Sequence, residues 1–554
     1  MKIRFCALMA LLLASCTAQE NWDDYLGGWA GTFSEPEPFA FQLSLQMAAE
    51  EGARLVFSGK HSSTELELAE DEGPYLSGRF GDQLFVRIDT SGPKPVGFIQ
   101  SGHHLSFLEL EARGANSWEG EWQLLIGAGI TPTLYLSLDQ FEDGNYGAST
   151  FFREPTYHYM FGMGFGRLAN NDQQFIFRDI RSNIDFLGEA KNQKLHLKLS
   201  FLHETIDLTC SPLAYDQWQI GQPPREGVEP AIQDETFAQL RKEMRLDSLE
   251  KTHGVVIAQG GEIIFEQYTH GFTPSTPHDT RSLSKSFASA ILGIAIEQGL
   301  LAHDSLLMKP FFEKDFPEVD WSDGKDLITL FHLLTMSSGL DVVYVDRENP
   351  GYASEDIYQS QEDWTGYILS APMLHPPGEH TNYASANPHL LAPIIDGQLD
   401  MPLEFFIHQH LFGPLGITDY RMQTNNRERP YFGGGWYLTP RDLVKFGQLY
   451  MNRGKWEGKQ LISEAWVDKS LAQHTVLENT RDKNGYGYFF WHHTYEVAGR
   501  RIASVEGRGA GGQYLFMVPE LDLVVAITSG NYRNGKALQP ERIMEDFILP
   551  ELVK

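Results

Sequence analysis

Thr280-Arg281-Ser282-Leu283-Ser284-Lys285-Ser286-Phe287 is the stretch on which the reading of this 554-residue chain turns. Ser282 precedes Lys285 by three residues, so on a helix the two side chains share a face one turn apart, as a nucleophile and its base require. Spacing alone is a weak signal. The chain has four Ser-x-x-Lys quartets, at Ser91, Ser248, Ser282 and Ser322, where background composition gives about two. Context separates them. Ser91-Gly92-Pro93-Lys94 and Ser322-Asp323-Gly324-Lys325 hold turn formers, and Ser248 ends a helical pattern whose Lys251 leads into a strand. Ser282 instead follows a hairpin, 253–258 and 262–268 around Gly260-Gly261, and opens an apolar run with helical periodicity over 287–298. That position aims N–H groups of a helix N-terminus at the Ser282 oxygen. The bland alternative is a helix cap beside a solvated lysine.

Further stretches carry a family pattern. Gly293-Ile294-Ala295-Ile296-Glu297-Gln298-Gly299-Leu300, Leu333-Leu334-Thr335-Met336-Ser337-Ser338-Gly339-Leu340, Pro376-Pro377-Gly378-Glu379, Tyr437-Leu438-Thr439-Pro440-Arg441-Asp442-Leu443 and the run from Gly511-Gly512-Gln513 to Pro519 follow the Ser282 stretch in order. Together they resemble the serine β-lactamase and penicillin-binding-protein superfamily. The branch is that of class C β-lactamases, family VIII esterases, D-aminopeptidases and 6-aminohexanoate-dimer hydrolases. The resemblance covers about 250–554. It implies an α+β β-lactamase/transpeptidase-like domain, an antiparallel sheet flanked by helices, working through an acyl-enzyme without a cofactor. The residues agree in texture: helices are expected at 234–249, 327–336 and 440–452, and strands at 486–491, 501–505, 514–518 and 523–528.

The resemblance also implies roles. Ser282 is the nucleophile and Lys285 its base, provided that burial and a positive neighbour lower the lysine pKa. The second motif, usually Tyr-x-Asn, falls on Tyr383-Ala384-Ser385. Tyr383 is then the general acid/base. Ser385 supports it from the place of the usual Asn, with a hydroxyl that lacks an amide's simultaneous donor and acceptor reach. The third motif, usually Lys-Thr-Gly or His-x-Gly, falls on Gly507-Arg508-Gly509, and the chain has no Lys-Thr-Gly. Unless Arg508 supplies it, the cation for a β-lactam carboxylate is missing, which favours ester or amide substrates. Backbone N–H groups of Ser282 and Ala510 would form the oxyanion hole. Arg508, Gly509, Gly511, Trp436 and Tyr437 are the expected substrate-binding residues, with core packing an equal reading for the two aromatics.

Upstream, residues 17–215 read as an antiparallel all-β domain. Short alternating runs such as 39–46, 84–89, 134–138 and 195–201 are bounded by turn formers. Gly28-Trp29-Ala30-Gly31-Thr32-Phe33 resembles the Gly-x-Trp strand of lipocalin-like barrels. Gly162-Met163-Gly164-Phe165-Gly166 lacks the strand and helix of a dinucleotide loop and reads as a β turn. Pro212, Gly221, Pro223, Pro224, Gly227 and Pro230 mark a linker over 216–232, so the hydrolase domain is expected at 233–554 and the chain is multidomain.

Met1-Lys2-Ile3-Arg4, the apolar run 5–13 and the small residues after it have the order of a secretory signal. Leu13-Ala14-Ser15-Cys16 resembles a bacterial lipobox. It implies cleavage before Cys16, lipidation of that cysteine and a membrane-anchored lipoprotein of the cell envelope, on its periplasmic or extracellular face. The alternative is a plain signal with an incidental cysteine. No later segment approaches 18 consecutive apolar residues, so no span is expected.

Composition excludes other classes. Hydrophobic residues are 42% and charged residues 21% of the chain, an ordinary globular balance. The net charge of -30 repels phosphate backbones and argues against nucleic acid as a partner. Of Cys6, Cys16 and Cys210, two lie in the signal, so no disulfide framework can form. His103-His104, His408-Gln409-His410 and His492-His493 lack metal-ligand spacing, and no Gly-x-Ser-x-Gly elbow occurs. Two functions remain: a serine hydrolase for a small-molecule or peptide ester or amide, and a binding or sensor protein that captures cell-wall or peptide ligands with negligible turnover.

Overall fold

A computed structural model describes residues 22–34, 37–48, 52–114, 116–125, 133–140, 146–152, 166–167, 174–179, 181–213, 235–343, 351–480, 483–532 and 534–553. The signal with Cys16, the linker 216–232 and most of the glycine-rich stretch 162–166 lie outside the described residues. No described helix is long and apolar enough to cross a membrane.

The N-terminal half is built of strands because its sequence alternates. Along Ser63–Glu70 every second side chain from Thr64 to Leu68 is buried, and along Lys194–Phe201 the same holds for Leu195, Leu197, Leu199 and Phe201. One face of each strand is therefore apolar and must be covered. Two antiparallel sheets do this for one another. In the first, of eight strands, Gly27–Thr32 lies between Thr133–Gln140 and Glu204–Leu213, and the edge strands Gly166–Arg167 and Gln174–Arg178 approach each other, giving the sheet a barrel-like curl. Trp29 of the Gly-x-Trp strand is buried, its Nε1 donating to the Tyr25 carbonyl at 2.9 Å. Side chains from both sheets, among them Trp29, Phe41, Phe57, Leu136 and Phe201, form a single core.

The C-terminal half is an antiparallel sheet with helices on both faces. Its order is Glu262–Tyr268, Thr252–Gln259, Leu523–Ser529, Gln513–Val518, Arg500–Gly509, Trp491–Val497, Gly485–Tyr486 and Thr475–Val476. The expected strand 486–491 is divided because Phe489 takes a left-handed φ of 66°. The helix Ala238–Arg245 and the C-terminal helical turns cover one face. Ser284–Glu297, Ala386–Asp396 and Pro440–Met451 belong to the core on the other. Ser284–Glu297 can be central because it is made of small and aliphatic residues. At Gly293 a Cβ would stand 2.3 Å from the Trp466 ring, so only glycine admits that contact. Pro440–Met451 starts at a capping box in which Thr439 and Asp442 bond each other's backbone N–H.

The two halves are not merely tethered. The N-terminal strand His104–Glu109 pairs with Arg421–Gln423, matching Ser106 with Arg421 and His104 with Gln423. The same sheet continues through Tyr437–Leu438 to His278–Asp279, the strand that leads into Ser282. Tyr75, Phe98, Leu105 and Phe107 from the N-terminal half enter the core of the C-terminal half, where Phe98 packs edge-on to Phe405 at 5.0 Å and Phe107 stacks on Tyr420 at 5.4 Å. Arg421 closes the seam by donating to the carbonyls of Gln123 and Leu124.

Candidate active site

The strand His278–Asp279 delivers the chain to a turn that holds Ser282. Thr280 N–H donates to the Trp436 carbonyl at 2.8 Å. Arg281 then adopts φ 52°, a conformation costly for a residue with a Cβ. It is held there by the Asp279 carboxylate, which accepts from the Arg281 N–H at 2.9 Å and from its guanidinium at 3.2 Å. The Arg281 carbonyl accepts from Ser284 Oγ at 2.6 Å and from the Gly435 N–H at 3.3 Å. Ser282 sits in the 3-10 turn Arg281–Leu283 at the head of Ser284–Glu297 and stays partly exposed. The positive end of that helix faces it.

Lys285 is the hub. Its side chain is buried, and Nζ donates to Ser282 Oγ at 3.0 Å, to Ser385 Oγ at 3.0 Å and to the Gly433 carbonyl. Burial lowers its pKa to about 8, with Arg281 adding to the effect and Glu355 opposing it. Tyr383 lies beside it, Nζ standing 5.3 Å from the ring centroid, and the ring is wedged between Tyr486 and Trp491. The structure therefore brings Ser282, Lys285, Tyr383 and Ser385 together from two segments about 100 residues apart.

The remaining expected residues divide. Gly509 ends the strand Arg500–Gly509 against the nucleophile turn; a Cβ there would lie 2.2 Å from the Thr280 carbonyl oxygen. Ala510 follows in the turn to Gln513–Val518, at the same end of that strand. Tyr437 is half-buried, its ring edge-on to His104 of the N-terminal half at 5.5 Å. Two residues do something other than expected, and Trp436 takes the second of its two readings. Trp436 is fully buried with Nε1 donating to the Tyr431 carbonyl at 2.9 Å, so it is core and not a pocket wall. Gly511 is buried with φ +81°, and a Cβ would meet the Tyr532 ring at 2.4 Å, so it serves packing. Arg508 is no free cation. Its Nη2 lies 2.6 Å from Glu506 and its Nη1 2.9 Å from Glu541, and it covers the Trp491 and Tyr514 rings. Burial alone would lower its pKa, but Glu506 and Glu541 outweigh that and push it up. Among the described residues no group of three or more His, Cys, Asp or Glu gathers as a metal site.

A family model described as Beta-lactamase matches residues 237–545, more than half of the chain. The chain belongs to the beta-lactamase family. Among its relatives, the 6-aminohexanoate-dimer hydrolase of Paenarthrobacter ureafaciens is 23% identical over 320 residues, 54% of this chain and 79% of that protein. Among solved structures, a penicillin-binding-protein homologue from Caulobacter crescentus is 17% identical, with a TM-score of 0.45 over 57% of this chain and 98% of its own. A family VIII carboxylesterase is 14% identical, with a TM-score of 0.44 over 57% of this chain and 98% of its own.

This beta-lactamase-family site contains residues that sequence reasoning passed over. Glu355 is buried behind Lys285, accepting from Tyr431 Oη at 2.6 Å. Burial pushes its pKa up, while Lys285, Tyr431, Arg281 and Ser385 draw it back. Gly433 sends its carbonyl to Lys285, and a Cβ on it would collide with the Tyr431 hydroxyl at 2.0 Å. Asp279 holds the turn at Arg281. The run Gly433-Gly434-Gly435 was the only signal in the sequence for any of these. Glu355 and Asp279 stand in no motif.

Proposed function

We propose that the protein is a serine hydrolase that forms an acyl-enzyme on Ser282 and acts on an ester, amide or peptide. The observation that carries this reading is Lys285 Nζ at 3.0 Å from Ser282 Oγ, with the lysine buried and its pKa lowered to about 8. Neutral Lys285 takes the Ser282 proton as Oγ bonds to the substrate carbonyl carbon. The oxyanion is met by the N–H groups of Ser282 and Ala510, each donor worth ~3 kcal/mol in such a site. Collapse of the tetrahedral intermediate breaks the bond to the leaving group, which takes its proton from Lys285 or Tyr383. Water then adds to the acyl carbonyl by the same relay and regenerates Ser282.

With Arg508 paired to Glu506 and Glu541, a substrate without a carboxylate beside the scissile bond fits better than a β-lactam. The Paenarthrobacter relative, by its name a hydrolase of 6-aminohexanoate dimer, keeps amides among the candidates. The test is the intact mass of residues 17–554 after exposure to a fluorophosphonate, with turnover of a short p-nitrophenyl ester. A single adduct and turnover, both lost in Ser282→Ala, are expected. No adduct and equal background rates in both proteins would refute the hydrolase reading and leave the binding or sensor function.

For the intact chain, lipidation at Cys16 and anchorage to an envelope membrane complete the proposal. Metabolic labelling with an alkynyl fatty acid should mark the wild type and not Cys16→Ser. Equal marking of both, or of neither, would remove the anchor.

A further inference from the structure

We propose that Asn479 is a positioning residue: by gripping the main chain of Tyr383 it sets the phenol where it hands a proton to the leaving group. This rests on the serine hydrolase reading above.

Tyr383 lies between the helices Trp364–Ser370 and Ala386–Asp396, and among the described residues no helix or sheet ladder pairs its main chain. Its backbone N–H and C=O still need partners. One side chain supplies both. Asn479 Oδ1 accepts from the Tyr383 N–H at 2.9 Å, and Asn479 Nδ2 donates to the Tyr383 carbonyl at 3.3 Å. An amide can do this because it carries an acceptor and two donors side by side. The other donor goes to Asn382 Oδ1, and Asn382 Nδ2 donates in turn to the Val342 carbonyl at 2.5 Å.

Asn479 is tied to the large sheet. It stands just beyond the edge strand Thr475–Val476, and the intervening Leu477 is buried with its N–H on the Asn484 carbonyl at 3.0 Å. The segment 476–479 grips 380–383 at two further points. The Val476 carbonyl accepts from Thr381 Oγ1, and Glu478 Oε2 lies 3.1 Å from His380 Nδ1.

The grip reaches the phenol because little else about Tyr383 is free to vary. Its ring stands edge-on to Tyr486 at 6.3 Å and against Trp491 at 5.3 Å, which restricts the side-chain torsions. What remains is the place of the main chain that carries the ring. A catalytic group displaced by ~1 Å can lose on the order of 10²-fold in rate. Asn479 itself is exposed, so water can satisfy the Tyr383 peptide without it. Its removal should therefore cost the fold little and the geometry more.

The test uses the leaving group as the reporter. p-Nitrophenolate departs as an anion, whereas an alkoxide needs a proton as the bond breaks. The readout is kcat/KM for p-nitrophenyl, phenyl and trifluoroethyl acetates in wild type, Asn479→Ala, Tyr383→Phe and the double variant. Thermal unfolding and fluorophosphonate labelling of Ser282 are recorded for each. Asn479→Ala should lose less than about twofold on the p-nitrophenyl ester and about tenfold on the trifluoroethyl ester, the worth of one well-placed hydrogen bond, at an unchanged melting temperature. Tyr383→Phe should show the same pattern more steeply, and the double variant should fall no further than Tyr383→Phe alone.

Equal losses on all three esters, or losses that multiply in the double variant, would overturn the proposal. A wild type with no Ser282 adduct would take down the hydrolase reading and this inference together. A labelled wild type whose Asn479→Ala variant keeps its full rate on the trifluoroethyl ester would remove the inference alone.

Discussion

Raising the pH from 6 to 10 should switch the enzyme on through one group, Lys285. The neutral amine is the base, so the rate rises as the lysine loses its proton. With an ordinary pKa of 10.5, roughly 0.03% of the lysine would be neutral at pH 7. With a pKa of about 8, roughly 9% is neutral, a gain of about 300-fold from burial and Arg281 net of the opposing pull of Glu355. Below pH 7 the rate should fall about tenfold per unit, half-maximal rate should come at pH ~8, and a plateau should follow above pH ~9. The assay is kcat/KM for p-nitrophenyl acetate, corrected for buffer hydrolysis, since that ratio reports the free enzyme's ionisation. Lys285→Arg keeps the charge but cannot deprotonate, and should lose on the order of 10²–10⁴-fold. A half-maximum near 10.5, or a profile flat to pH 6, would refute the assignment of Lys285 as the base.

Gly509→Ala would drive a methyl group to 2.2 Å from the Thr280 carbonyl oxygen, a backbone atom that cannot step aside. Stability should fall by about 1–3 kcal/mol and ester turnover with it, and a variant as active and as stable as wild type would show that the strand edge does not brace the nucleophile turn. Arg508→Ala should act on folding: it leaves the buried Glu506 unpaired, which costs about 3–5 kcal/mol. A rise in KM at unchanged melting temperature would instead mark Arg508 as a substrate-binding cation. Residues 235–554 produced alone should be insoluble or molten. They would lose the packing of Tyr75, Phe98, Leu105 and Phe107, roughly 6–12 kcal/mol at 1.5–3 kcal/mol per side chain, which is comparable to a domain's whole stability. A soluble, active fragment with a sharp unfolding transition would contradict this. Cys210 is buried with its thiol pushed up to about 12; iodoacetamide at pH 8 should modify it only after unfolding, as mass spectrometry in and out of denaturant would show.

Legibility in the sequence followed distance along the chain. Ser282 and Lys285 could be read because a helix turn relates them, and the alternation in 195–201 could be read because a strand's period is two. Ser385 reads as a departure from its motif, but that it accepts from Lys285 could not be read, since the two lie 100 residues apart. The cation at Arg508 was seen without its partners, one of which, Glu541, comes from the C-terminal helical turns. Trp436 reads from the sequence equally as pocket wall or core, and Gly511 as a substrate-binding residue; which side of either faces solvent is set by packing.

The sequence alone carried the family resemblance, the Ser282–Lys285 pair one helical turn apart, the order of β and α+β halves and the departures at Ser385 and Arg508. These depend on local periodicity and residue chemistry, which neighbours along the chain express. It took the tertiary structure to show that the N-terminal sheet runs into the strand leading to Ser282, that Lys285 is buried, and that the buried Glu355 comes near enough to act on its charge. Lys285 and its Gly433 acceptor are 148 residues apart in sequence, and Arg421 and Leu124 are 297 apart. Burial and charge act through space, and no local pattern records which segments the core brings together.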